Sequence, residues 1–364
     1  MRKRFVMLTI TVLLSTLLMI PGCGGEKAPA GGGGEMDLFS LLPDNAAGVL
    51  SVNFKKLTQL AFFDKMIKDA EQKETTDTKK FFKNYQDFVD KTGIDPKKDV
   101  NAMAFGLFGQ LGTKEPDTVF LANLNYKQSA LLTLLKEQAP GFAEETYNGV
   151  GVYKFKDDDG KDMALSFLTD NIIAAGRPDL LMKVIDLHKG KGQPITANET
   201  MKPHFNKLKS DAIATFIIGL PQEVKKVHDS GMFKLDLTKA EAIVGYIDYA
   251  GTTWTGEITM ISPNEEANQQ LVSTLNGLKM MAAAGGPEVE ELVKNLDLKA
   301  SADSVKLKVT LTEELLEKLK TNVAPGDDLL GPNPLPRFIQ FQKFSGFARA
   351  DFVSFRGKNM YLYV

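Results

Sequence analysis

Two segments of the sequence alternate polar and apolar residues with a period of two, and they constrain the fold more than any other feature. In Thr253–Met260, Trp254, Ile258 and Met260 alternate with threonines and a glutamate, and Ser304–Leu311 follows the same rule. Successive side chains of a strand point to opposite faces, so the pattern indicates strands with one buried and one solvated face. Such strands belong to antiparallel sheets with helices on one face. The sequence therefore predicts an α+β fold.

The order of the predicted elements repeats once along the chain. Residues 38–198 and 199–321 each read as strand, helix, strand, strand, helix, strand, with extra elements from Met163 to Lys189 in the first repeat. This order resembles the split β-α-β arrangement of ferredoxin-like folds. We therefore expect two ferredoxin-like repeats, the second with a short helix over Pro221–His228.

Helix ends carry recognisable capping residues. Ser262-Pro263-Asn264-Glu265 combines a capping-box pattern with proline at the first helical position, which predicts a long helix capped by Ser262. Thr312 is expected to cap the helix that follows the second alternating strand. Pro178 begins a helix that runs to Lys189, where His188 and Lys189 would place positive charge at the negative end of the helix dipole.

The first 22 residues have the composition of a secretory signal. Met1-Arg2-Lys3-Arg4 is basic, and Phe5–Ile20 is apolar except for hydroxylated side chains. A basic start, an apolar core and small residues before a cleavage site are typical of signal peptides. The apolar run is shorter than the ~20 residues that a membrane-spanning helix needs. We therefore expect residues 1–22 to be removed on export.

A single cysteine follows this signal, in the sequence Ile20-Pro21-Gly22-Cys23-Gly24. The segment resembles the lipobox of bacterial lipoproteins, which implies cleavage before Cys23, lipid on its sulfur and a membrane reached through that lipid. Because Gly24 rather than aspartate comes next, the resemblance implies the outer membrane facing the periplasm in a Gram-negative cell. In other cells it implies the outer face of the cytoplasmic membrane. The alternative is an ordinary signal peptide with an incidental cysteine. Residues 23–37 are glycine-rich and are expected to be a tether.

The charge balance gives no support for a nucleic-acid partner. Lys and Arg number 44 and Asp and Glu 46; without the three basic residues of the leader, 41 basic residues face 46 acidic ones, a net charge of −5. Proteins that bind nucleic acid carry clustered basic residues, and no basic tract occurs in this chain.

The sequence contains no recognisable catalytic or metal-binding motif. Gly-x-Ser-x-Gly and His-Glu-x-x-His are absent, and the acidic residues Asp95, Asp99 and Asp157–Asp159 are expected in turns or on solvated faces. Three histidines are scattered without the spacing of metal ligands: His188, His204 and His228. We therefore expect no catalytic residue, no metal and no cofactor, and Cys23 is the one predicted site, for lipidation.

Residues 322–364 lie outside the proposed repeats. Residues 322–336 read as a proline-rich loop, and an aromatic tail follows: Phe338, Phe341, Phe344, Phe347, Phe352, Phe355, Tyr361 and Tyr363. We expect these rings to dock onto the body. The alternative is an exposed aromatic surface for a partner or a lipid.

Three short motifs of the body are similar to segments of an uncharacterised family of exported bacterial proteins. They are Leu41–Val52, Gly93–Val100 and Tyr147–Tyr153. The resemblance covers about residues 41–320 and implies an envelope protein with a duplicated body. It supplies no catalytic residue.

Three functions remain open on the sequence alone. The favoured interpretation is a non-enzymatic binding or structural module whose partner is an envelope protein or a lipid. The second is a carrier of apolar ligands, for which 23 Phe and 14 Met could line a cavity. The third is an envelope hydrolase whose carboxylates meet only in the folded chain.

Overall fold

A computed structural model describes residues 37–72, 76–109, 116–157, 159–223, 225, 227–229, 234–283, 287–321, 353–356 and 359–362. These residues form two compact units, one within 37–205 and one from 206 onward. The predicted signal peptide, Cys23 and the glycine-rich tether lie outside the described residues, as do most aromatic residues of the tail. In the part of the chain that is described, no helix combines the length and the hydropathy needed to cross a membrane.

The first unit alternates helices with the strands of an antiparallel sheet. After a 3₁₀ turn at Leu38–Leu41 its elements are β1 (Gly48–Asn53), α1 (Phe54–Thr58), α2 (Ala61–Gln72), α3 (Thr76–Thr92), α4 (Pro96–Asp99), β2 (Val100–Phe108), β3 (Asp117–Leu124), α5 (Gln128–Gln138), β4 (Ala143–Tyr147), β5 (Val150–Lys156), β6 (Asp162–Phe167), β7 (Ile172–Gly176), α6 (Pro178–His188), a 3₁₀ turn at Ile195–Ala197 and α7 (Lys202–Phe205). The strands lie in the order β1-β2-β3-β7-β6-β5-β4, and each neighbouring pair is antiparallel.

A two-residue turn fixes the edge hairpin of this sheet. Asn148 and Gly149 have φ angles of 48° and 76°, and Tyr147 pairs with Val150 across the turn. Positive φ at both central residues defines a type I′ turn, for which Asn-Gly is the preferred sequence. The turn therefore explains why the polar segment Ala143–Tyr147, which no apolar pattern predicts, forms β4.

Both faces of the first unit's sheet are covered. On one face Tyr153 and Phe155 of β5 pack against Leu135 and Ala139 at the end of α5. The opposite face carries a group of small residues on β6 and β7, of which Ala164, Ser166 and Ala174 are fully buried.

Helix α6 covers this second face. It packs on β6, β7 and the 3₁₀ turn at Leu38–Leu41. The next residue, Leu42, approaches Gly106. Gly106 lies on the same face as these small residues, because it pairs with Val119 and Val119 in turn pairs with Gly176. The expectation of helices on one face only is therefore wrong for this unit.

The second unit is a smaller antiparallel sheet with its helices between the later strands. Its elements are β8 (Ala214–Gly219), β9 (Val227–Asp229), β10 (Lys234–Asp236), β11 (Ala242–Ala250), β12 (Thr253–Ile261), α8 (Glu265–Ala283), α9 (Pro287–Lys294), β13 (Leu296–Ala300), β14 (Ser304–Thr312), α10 (Glu313–Thr321), β15 (Val353–Arg356) and β16 (Asn359–Leu362). The sheet order is β13-β14-β12-β11-β8, and β9–β10 and β15–β16 are separate two-stranded sheets. The α+β class is thus confirmed.

Both alternating strands are confirmed, as β12 and β14, but two local predictions need correction. Helix α8 begins later than predicted, because Asn264 rather than Ser262 accepts the backbone N–H of Ala267, at 3.2 Å. The segment predicted as a helix over Pro221–His228 instead leads into strand β9. Thr312 does cap α10, since its hydroxyl accepts the N–H of Leu315 at 3.2 Å.

The ferredoxin-like arrangement is not confirmed. A split β-α-β unit places a strand between two parallel strands, whereas β1 and β2 are direct antiparallel neighbours despite the helices that connect them. The two units nevertheless share a plan: three strands in a row, then a helical crossover to a strand at the far edge. The crossover spans one strand between β12 and β13, and three strands between β3 and β4.

Candidate functional site

The acidic residues near α4 have structural roles. Asp95 caps this helix by accepting the N–H of Lys97 at 3.1 Å, and it also accepts the hydroxyl of Tyr85 at 2.7 Å. Lys98 lies 2.8 Å from the same carboxylate, and Asp99 accepts the N–H of Asp95 at 2.7 Å. Burial alone would raise the pKa of Asp95, but the hydrogen bonds from Lys98, Tyr85 and Lys97 outweigh it and lower the pKa. Asp95 is therefore a poor proton acceptor at neutral pH.

Replacing Asp95 with alanine should destabilise the first unit by about 1–2 kcal/mol, because a helix cap and its side-chain partners are lost together. Urea unfolding at pH 7, followed by circular dichroism, measures this difference. The folded-state pKa is below the ordinary 3.8, so the stabilisation is complete above that value and disappears as the pH falls through the lower folded value. The gap between wild type and variant should therefore shrink only below about pH 4.

Asp90→Ala is the matched control for this prediction. Asp90 is an exposed residue of α3 that accepts a hydrogen bond from Gln86, and its loss should change stability by less than about 0.5 kcal/mol. Equal losses for the two variants would contradict the structural role assigned to Asp95.

The other titratable residues considered from the sequence do not converge on a site. Asp157 accepts the backbone N–H groups of Asp159 and Lys161 at 2.9 and 2.8 Å, as expected for a turn, and Asp158 lies outside the described residues. His188 ends α6 as predicted, but burial and the nearby Lys189 lower its pKa, so it is neutral at pH 7. Within the described ranges no group of three or more His, Cys, Asp or Glu side chains could hold a metal ion.

An ordered polar network occupies one face of the second unit's sheet. Asp248 is buried and pairs with Lys209, and this hydrogen bond raises the pKa of Lys209. The ammonium of Lys209 also lies 5.2 Å from the ring centroid of Tyr246, whose hydroxyl is 3.5 Å from Glu257. Glu257 in turn pairs with Lys306 at 3.0 Å.

Each carboxylate of this network has a lysine beside it, so the group is a neutralised ion network rather than an acid–base pair. The sequence predicted the polar face from its period of two. It could not show that these side chains are half-buried or connected, because their pairing depends on the register between strands.

The opposite face of this sheet is apolar and incompletely covered. Helix α8 packs on β13 and β14, and α10 packs on β14. Ile247 on β11 and Ile258 on β12 remain 41% and 40% exposed. Among residues whose side chains the structure describes, the exposed large apolar ones all belong to the second unit: Ile247, Ile258, Met280 and Met281.

Glycines explain why the two isoleucines are exposed. Ile247 pairs directly with Gly256, and Ile258 pairs with Gly245, so each lacks a side-chain neighbour on the side where β11 meets β12. On their other sides, Ile247 pairs with Ala214 and Ile258 with Leu307. The ring of Phe216 lies over Gly245, where an added Cβ would collide with it. Gly256 has no ring over it among the described residues, of which only Val309 would contact an added Cβ, at 3.1 Å. We call the open area formed by Ile247, Gly256, Ile258 and Val309 the Gly256 depression.

Comparisons with known proteins leave the function open. No protein-family model and no curated protein matches the chain. Crystal forms III, IV and I of TP0453 are similar to it over 79%, 78% and 79% of this chain and 98%, 96% and 97% of theirs, with 11% sequence identity in each case. Their TM-scores are 0.43, 0.42 and 0.41, which are too low to carry an argument.

Proposed function

We propose that the chain is a lipid-anchored envelope protein whose two-unit body is a non-enzymatic binding or structural module. The observation that carries the proposal is the position of the single cysteine, directly after Ile20-Pro21-Gly22 at the end of a signal sequence. Diacyl attachment holds a protein firmly on a bilayer, whereas one acyl chain binds only marginally. The body adds support through the acidic residues discussed above. Asp95 caps a helix, Asp157 forms a turn, and Asp248 and Glu257 pair with lysines.

Mass spectrometry of the protein purified from membranes of its own host tests the anchor. The N-terminal peptide should begin at Cys23 and carry the mass of a diacylglyceryl group on sulfur. An unmodified Cys23, or a mature N-terminus at another residue, would refute the lipoprotein proposal.

A carrier of apolar ligands is the second candidate. The partly exposed apolar face of the second unit favours it, since exposed apolar surface often marks a binding site. Native mass spectrometry with solvent extraction separates the two candidates. A stoichiometric apolar compound in the protein from its own host would support the carrier, and a mass without ligand would support the binding or structural module.

A further inference from the structure

We propose that residues 338–362 of the aromatic tail dock on the apolar face of the second unit's sheet, with phenylalanine rings seated in the Gly256 depression. The occupant is thus a segment of the same chain. Four independent features support this choice: reach, composition, the isolated hairpin and charge.

The tail can reach this face. Helix α10 ends at Thr321 and packs on β14, so 16 residues separate it from Phe338. Thr312, the residue before α10, pairs with Thr253 of β12. Ile258 lies five residues further along β12, about 17 Å from Thr253. The nine residues of α10 add at most about 14 Å. Sixteen residues span up to roughly 50 Å when extended, so the linker is long enough.

The composition of the tail suits burial rather than solvation. Eight of the chain's 32 aromatic residues lie in the 27 residues from 338 to 364. Chains that remain solvated contain few aromatic residues, because aromatic side chains gain the most from leaving water. The tail therefore supplies large rings, and the second unit presents apolar surface that its own helices leave open.

The hairpin at the end of the tail also requires a supporting surface. Strands β15 and β16 pair with each other over four residues each and form a separate two-stranded sheet. An isolated hairpin is marginally stable at best in water, and it becomes stable when it packs against another apolar surface.

Charge favours the body of the chain as the docking surface. Residues 337–364 contain five basic residues and one acidic residue, whereas residues 23–336 contain 36 basic and 45 acidic residues. Opposite net charges attract the tail to the body and orient its approach.

The Gly256 depression fits an aromatic ring. Within a sheet, a glycine commonly marks a place where another group approaches closely, and an aromatic ring laid over it restores the lost packing. The sheet already contains one example, Phe216 over Gly245. Gly256 offers an equivalent site one strand away, bordered by the exposed Ile247 and Ile258.

Thiol labelling tests the docking in the full mature chain. With Cys23→Ser as background, Ile258→Cys introduces the only thiol, and its maleimide reaction rate reports whether the depression is covered. We expect the rate to rise about tenfold when the chain ends at Thr321, because coverage by a docked segment slows labelling in proportion to its opening equilibrium. Thr259→Cys, on the opposite face of the same strand, is the matched control and should react equally in both chains.

A second variant keeps the length of the chain. It combines Phe341→Ser, Phe344→Ser and Phe347→Ser, and it should raise the labelling rate of the Ile258→Cys thiol as the truncation does. The same increase in a chain of full length would show that misfolding of the shortened protein is not the cause. Equal rates with and without the tail would overturn the proposal. Two other results would also overturn it. Protection of the thiol that increases with protein concentration would mean that a second copy covers the depression, and protection that requires added anionic vesicles would mean that a membrane does. Protection abolished by solvent extraction would instead identify a bound apolar ligand.

Discussion

Changing Cys23 to alanine should abolish lipid attachment and move the protein out of the membrane fraction, or leave an uncleaved precursor that carries no lipid. The sulfur of Cys23 is the only thiol in the chain, so no other residue can replace it in a thioether linkage. Acyl chains contribute about 0.8 kcal/mol per buried CH₂, and their loss removes nearly all the membrane affinity of a mildly acidic protein. Fractionation of cells with metabolic labelling by a radioactive fatty acid measures both effects.

Gly25→Ala is the control for this experiment, since it changes the tether and preserves the cysteine. It should remain in the membrane fraction and incorporate fatty acid like the wild type. The sizes of the two proteins on a gel separate released mature protein from retained precursor. Unchanged membrane attachment of a cleaved Cys23→Ala protein would show that the anchor lies elsewhere.

The sequence predicted best those elements whose pattern is local. Along β12 and β14, apolar and polar residues follow each other in turn. The two faces of each strand can therefore be distinguished without any knowledge of the partner strand. Thr312 was likewise identifiable as a cap, because a cap needs only the residues that follow it. The α+β class follows from these features.

The features that the sequence missed depend on distant partners. The small residues Ala164, Ser166 and Ala174 carry no amphipathic signal, yet they form the face that helix α6 covers. Val227–Asp229 is a strand because Lys234–Asp236 pairs with it, and not because of its own propensity. The split β-α-β prediction failed for the same reason, since element order does not determine which strands become neighbours.

The candidate surface shows this limit most clearly. Gly256 and Ile247 are nine residues apart in the sequence, and only the register of β11 with β12 brings them opposite each other. A shift of one residue would turn Ile247 to the polar face and remove the depression. The aromatic tail could be singled out from composition, but the place where it docks could not.

Replacing Leu181 with alanine should destabilise the first unit by about 2–5 kcal/mol, the largest effect we expect from a single change in the body. Leu181, Val184 and Ile185 form the inner stripe of α6 and are completely buried. The helix packs on β6 and β7, whose residues on this face include the small Ala164, Ser166 and Ala174, and these side chains are too short to fill the space that the leucine leaves. Because the surrounding structure cannot relax into the cavity, the substitution should have nearly its full destabilising effect. Urea unfolding followed by far-ultraviolet circular dichroism measures the loss.

Lys183→Ala on the exposed side of the same helix is the matched control, and it should change stability by less than about 0.5 kcal/mol. Trp254, the single tryptophan, lies in the second unit, so its fluorescence follows that unit separately in the same titration. A loss below about 1 kcal/mol for Leu181→Ala would mean that α6 can settle onto the small-residue face. The close packing that we infer there would then be wrong. A large loss confined to Leu181→Ala would establish α6 as part of the first unit's core rather than a peripheral addition to it.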